Sequence, residues 1–177
     1  MNKYLLILVL LGLSFTATAQ KYQSNNGYVK FFSEAKLEDI TAENETARSI
    51  IDMETGELVY SVTITDFQFE KSLMQEHFNE NYLESEKYPK STLSAKIVDW
   101  NGEKGEQTVK VAGELTIHGV TKKVELEGNI SYQDDLVKVS AKFPVALKDY
   151  KVKIPKIVFY NIAEVVDVTV AFEYKPL

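Results

Sequence analysis

Across most of its length this chain changes polarity at every second residue, and only an extended strand keeps such a pattern on one apolar face. Val109, Val111, Gly113, Leu115 and Ile117 share one side, while Lys110, Ala112, Glu114, Thr116 and His118 share the other. Val124, Leu126, Gly128, Ile130 and Tyr132 repeat the pattern. So do Val137, Val139, Ala141, Phe143 and Val145, and then Val166, Val168, Val170, Phe172 and Tyr174. Earlier, Leu58, Tyr60, Val62 and Ile64 alternate with Val59, Ser61, Thr63 and Thr65, and Leu93, Ala95 and Ile97 do so more weakly. Thr55-Gly56, Asn101-Gly102, His118-Gly119 and Asp134-Asp135 supply turns between the runs. Short strands at hairpin spacing give a mainly antiparallel sheet. A sheet this long protects its edges by closing into a barrel or folding into a sandwich. No internal repeat, low-complexity stretch or linker divides it.

One segment breaks the period. Ser72-Leu73-Met74-Gln75 reads as a capping box with Ser72 as N-cap. Met74, Phe78 and Tyr82 then fall four apart, with Leu73 beside them. The spacing predicts a short amphipathic helix of about three turns near residues 72–83. It ends before Pro89, because the residue preceding a proline disfavours helical angles. Its apolar stripe covers one barrel end, either as a packed plug or as a gate over a ligand cavity. Residues 148–160 are irregular. There Lys151, Lys153 and Lys156 alternate with Val152 and Ile154, as an extended piece at a barrel mouth with apolar residues inward.

Residues 1–19 have the form of an export signal: Lys3, an apolar run from Tyr4 to Leu13 that is short for a membrane span, and the small-x-small site Ala17-Thr18-Ala19. Cleavage there leaves residues 20–177 as a single domain of about 158 residues beginning at Gln20. The expectation is an exported protein, periplasmic or secreted, without a stable membrane anchor. The chain has no cysteine, which excludes disulfides, thiolate metal sites, a catalytic thiol and lipid attachment through cysteine. The net charge is −6, and loss of Lys3 makes it about −7. The charges are interspersed, with no basic cluster to track phosphates or hold an anionic membrane, so nucleic acid is not an expected partner.

The search for chemistry is short. His77 has Glu76 beside it and Glu80 three residues on, and His118 opens a tight His-Gly turn, where histidine tolerates unusual backbone angles. No metal-ligand spacing, nucleophile elbow, phosphate loop or dinucleotide fingerprint is present. No catalytic residue, metal or cofactor is assigned. The many carboxylates sit on the polar faces of the strands, as on a solvated outer surface.

Two segments flanking the middle of the chain carry a resemblance. Met74-Gln75-Glu76-His77-Phe78 runs on to Leu83-Glu84-Ser85-Glu86-Lys87-Tyr88-Pro89, followed by Lys90-Ser91-Thr92-Leu93. The second reads Gly113-Glu114-Leu115-Thr116-Ile117-His118-Gly119-Val120-Thr121-Lys122, and Asp149-Tyr150 follows near the end. In this order and spacing the chain resembles the YceI-like family. The resemblance implies an all-β fold, an extended antiparallel eight-stranded lipocalin-like barrel with one short helix. It also implies export to the periplasm and a long isoprenoid or other amphiphile held inside. The chain departs from the family at Asn26-Gly27-Tyr28-Val29-Lys30-Phe31-Phe32, where many relatives have a histidine-containing stretch, and along residues 148–156.

Small barrels either fill their interiors with side chains or leave room for one ligand. Each buried methylene contributes about 0.8 kcal/mol gross, so an apolar tunnel holds a long tail without specific hydrogen bonds. The expectation is a binding protein, not an enzyme, whose partner is a long-chain lipid, isoprenoid or fatty-acyl. Alternation selects Val62, Ile64, Leu115, Ile117, Leu126, Ile130, Val139, Phe143, Val168, Val170 and Phe172 as ligand-lining residues, and the helix stripe adds Leu73, Met74, Phe78 and Tyr82. Gly113 and Gly128, on the apolar faces, widen the interior locally or mark a bend. Two other readings are a filled barrel acting through its surface, and a lipid-modifying enzyme using His77 or His118. Cavity volume separates the first reading from the filled barrel. Nothing in the pattern sets an oligomeric state.

Overall fold

The computed structural model describes residues 21–34, 39–154 and 162–177. The expected signal segment and Gln20 lie outside them, as do residues 155–160 of the irregular stretch. Nine strands follow in chain order: β1 (Lys21–Ser33), β2 (Ile40–Asp52), β3 (Glu57–Thr63), β4 (Gln68–Phe69), β5 (Lys90–Ile97), β6 (Gly105–Ile117), β7 (Val120–Gln133), β8 (Leu136–Ala146) and β9 (Val165–Pro176). Eight of them form a ring in the order β1-β9-β8-β7-β6-β5-β3-β2, every pair antiparallel, closed by β1 on β2. Of the barrel and the sandwich that alternation allows, this is the barrel, as the resemblance implies. The two-residue β4 pairs with β2 beyond the end of β3.

The turns follow from their residues. His118-Gly119 joins β6 to β7 with Ile117 opposite Val120, and both turn residues have positive φ, 51° and 70°. That is the two-residue hairpin whose twist matches its strands. A Cβ at Gly113 would lie 2.4 Å from the Cβ of Ala95, so glycine allows β5 and β6 to approach.

Two ladders part company, both toward the end of the barrel that holds this hairpin. β7 and β8 pair only from Gly128–Ala141 to Gln133–Leu136, leaving residues 120–127 and 142–146 unpaired with each other. Pro144, which has no N–H, sits in the released half of β8, where only β9 is a neighbour. The 3-10 turn Leu147–Tyr150 and Val152 fill this seam, with Tyr150 and Val152 buried. The extended piece expected from residue 148 is therefore helical at its start. Likewise β2 and β3 pair only from Arg48–Ser61 to Ile51–Leu58, and β3 then enters a 3-10 turn, Ile64–Asp66. Buried Asn44 closes that gap. Its amide donates to the carbonyl of Thr63 at 3.0 Å, and its Oδ1 accepts the Thr46 N–H at 2.9 Å.

The helix, α1 (Ser72–His77), runs on into a π turn, Phe78–Tyr82. The expected capping box does not form. Lys71, still extended after β4, is the N-cap, Ser72 is already helical, and no side chain caps the end. Among the described residues no helix is long and apolar enough to cross a membrane.

Candidate functional site

The interior divides along the barrel axis. At the end holding the β2–β3 turn, Ile51, Ile97, Ile130, Val137 and Tyr174 are each at most 2% exposed. Trp100 caps this end, its Nε1 donating to the carbonyl of Met53 at 2.8 Å while its side chain lies against Gly56. At the other end the inward residues stand apart around a cavity of about 330 Å³, within the range of small-molecule sites. α1 and its π turn lie across this open end.

Four phenyl rings fasten that helix to the rim. Phe78 stacks on Phe31 at 5.4 Å and meets Phe67 at 5.6 Å and Phe69 at 5.0 Å. Each such contact adds about 0.5–1.5 kcal/mol beyond burial. The rings come from β1, from the piece that replaces the end of β3, and from the π turn.

Few polar groups reach the cavity, and its two serines are already bonded. Ser33 accepts the backbone N–H of Ala163 at 2.8 Å, and Ser91 donates to the carbonyl of Thr116 at 2.8 Å. Burial pushes the Tyr60 and Tyr82 phenols above their ordinary range, so both stay protonated and neutral. Among the described residues the lining includes no lysine, arginine, aspartate or glutamate.

Of the residues that the sequence selects, Val62, Ile64, Leu73, Met74, Phe78, Tyr82, Leu115, Ile117, Phe143 and Val168 line the cavity. Leu73 does so at the mouth, where it remains exposed. Leu126, Ile130, Val139, Val170 and Phe172 do not line it. Ile130 and Val139 are paired across β7 and β8, and Val139 pairs with Phe172 on β9, at the level where the bore is packed solid. Phe172 stacks on Tyr60 at 6.0 Å, beneath the cavity. Val170 is buried core beside that level, and Leu126 is half-buried in the released part of β7. Alternation identifies the inward face but carries no information on depth. The lining residues it missed include Val29, Phe31, Ile40, Phe67, Phe69 and Leu83. The spacing Phe67-Gln68-Phe69 was the available signal.

The histidines separate. His77 is exposed at the cavity mouth. His118 is a hairpin clamp: its Nε2 meets Glu84 Oε2 at 2.7 Å, its Nδ1 meets the Tyr150 carbonyl at 3.1 Å, and its ring lies edge-on to Tyr88. Neither His118 nor Glu84 lines the cavity. Among the described residues no group of three or more His, Cys, Asp or Glu side chains is placed to hold a metal.

The sequence match to the YceI-like domain runs over residues 13–174. The chain belongs to the YceI-like family. Solved structures agree with this YceI-like assignment. A polyisoprenoid binding domain from Saccharophagus degradans superposes with a TM-score of 0.77 at 16% identity, covering 90% of this chain and 100% of that one. BcnA from Burkholderia cenocepacia gives 0.65 at 14% identity over 84% and 94% of the two chains. The YCEI protein of Campylobacter jejuni gives 0.63 at 17% identity over 79% and 86%. At these identities the likeness is one of fold. No curated protein matches the chain.

Proposed function

We propose that this YceI-like protein is an exported carrier that holds a long-chain isoprenoid or similar amphiphilic lipid in its half-hollow barrel, and that it catalyses no reaction. The observation that carries this reading is the cavity of about 330 Å³ with an apolar, uncharged wall under an apolar helix stripe. Such a wall offers a hydrocarbon chain about 0.8 kcal/mol for each methylene it buries. The polyisoprenoid-binding relative of the same fold adds support. The ten cavity-facing residues that alternation and the helix stripe select are proposed as the ligand contacts, together with Phe31, Phe67 and Phe69. Export rests on the form of residues 1–19.

Gentle purification from the native compartment, organic extraction and mass spectrometry test the reading. A stoichiometric long-chain lipid is expected. A protein that is recovered without any lipid and takes none up from vesicles overturns it. Sequencing of the mature N-terminus should give Gln20, and retention of Met1 defeats the export part.

A further inference from the structure

We propose that the Tyr60 hydroxyl is a hydrogen-bond anchor for a neutral carbonyl group at the inner end of the bound chain. The proposal rests on the container reading above and adds what the container recognises. Tyr60 lies in the middle of β3, its ring stacked on Phe172 at the boundary between the packed and hollow parts of the bore. It lines the cavity and is 9% exposed. Among the described residues none hydrogen-bonds its hydroxyl, although the Tyr150 phenol is near enough to act on it. Nor is that oxygen sealed in. The one fully sealed side-chain polar atom without a partner among the described residues is Asn79 Oδ1. Tyr60 itself is part of the cavity wall.

Tyr174, one packed layer away, makes the contrast. Its hydroxyl meets Ser49 at 2.8 Å, and Ser49 in turn donates to the carbonyl of Val59 at 2.8 Å. Where the bore is filled, the chain supplies its own partner. At the floor of the hollow part it supplies none, and an unmade hydrogen bond in such surroundings is costly. Phenylalanine would serve better if only hydrocarbon lay there.

The chemistry of the missing partner follows from its surroundings. Burial keeps the phenol protonated, so it donates. With no lysine or arginine in the described lining, a phosphate or carboxylate at this depth would be a buried charge without compensation. A neutral acceptor fits: a ketone, quinone, ester or amide carbonyl on a long chain, with any charged end at the mouth.

The test compares a long-chain methyl ketone with the alkane of equal length, each displacing a fluorescent alkyl tracer from wild-type and Tyr60→Phe protein. Tyr60→Phe should weaken the ketone roughly fivefold, the worth of one net hydrogen bond, and leave the alkane unchanged. Equal ketone affinity for the two proteins overturns the anchor and leaves the container standing. A wild-type protein that binds neither probe overturns the container, and the anchor with it. A second measurement needs no variant: the infrared carbonyl stretch of the isotope-labelled ketone bound to wild-type protein should move to lower frequency. A stretch at the value seen in hydrocarbon solvent overturns the anchor.

Discussion

At one end of the barrel Ile51, Ile97, Val137 and Tyr174 meet across the bore under Trp100; at the other Phe31, Phe67, Phe143 and Val168 face an open space. Both ends are built from the same alternating strands, so alternation does not decide which is filled. What differs is the ring of hydrogen bonds around them. Two ladders, β2–β3 beyond Arg48 and β7–β8 beyond Gly128, stop short toward the hollow end, whereas the β1–β9 ladder, broken between Gln23 and Tyr28, resumes at the packed end with Tyr22 opposite Pro176. At the hollow end the inward side chains surround the cavity and do not fill it. Packing supplies stability at one end, and the lack of it supplies a site at the other.

Matched truncations should show the contrast most strongly. Ile51→Ala, in the packed end, should cost about 2–5 kcal/mol in denaturant unfolding. Ile117→Ala, on the cavity wall, should cost less than about 2 kcal/mol, because a wall facing space has fewer partner atoms to lose. Equal losses would break the comparison.

The packed end should also contribute to the alkaline limit. Burial raises the Tyr174 phenol from 10.0 to about 12, against the lowering effect of its bond to Ser49. Between those values the unfolded chain has released a proton that the folded chain keeps, so stability falls as pH rises. The full loss is about 2–3 kcal/mol by pH 12. Unfolding curves at increasing pH check the wild type. Tyr174→Phe, weaker at neutral pH, should show a shallower alkaline decline.

Phe78→Ala removes the ring shared by Phe31, Phe67 and Phe69 at the hollow end. A stability loss of about 2–3 kcal/mol is expected, together with faster lipid release. An unchanged off-rate with a larger stability loss makes Phe78 ordinary core and rejects the helix as a gate. The smallest effect belongs to the hairpin clamp. Glu84 is 48% exposed at its side chain, so Glu84→Gln should cost less than about 1 kcal/mol in thermal unfolding.

Most of the barrel is legible in the sequence because Val137 to Val145, Val166 to Tyr174 and Leu58 to Val62 place large apolar groups inward at every second position. β2 is not legible, for a physical reason. Before Ile51 its buried residues are Ala42, Asn44, Ala47 and Ser49, small or polar, and the exposed pair Glu45-Thr46 shifts the phase between Asn44 and Ala47. Asn44 and Ser49 are tolerated inside only because Thr63, Thr46, Val59 and Tyr174 satisfy them, and those contacts are tertiary. The candidate site is legible as a face, through Val62, Leu115 and Phe143, but not as a depth. Ile130 and Phe172 show the same alternation and sit below the floor.

The unpaired stretch between β7 and β8 changes how the cylinder deforms. A hoop stapled all the way round can widen only by tearing staples. A split sleeve widens by flexing, and here the slit is bridged by the Leu147–Tyr150 turn and Val152, largely through side-chain contact. Leu147 and Val152 are themselves part of the cavity wall. Widening the bore would therefore displace the very piece that spans the slit, at the cost of sliding contacts and not of strand rungs.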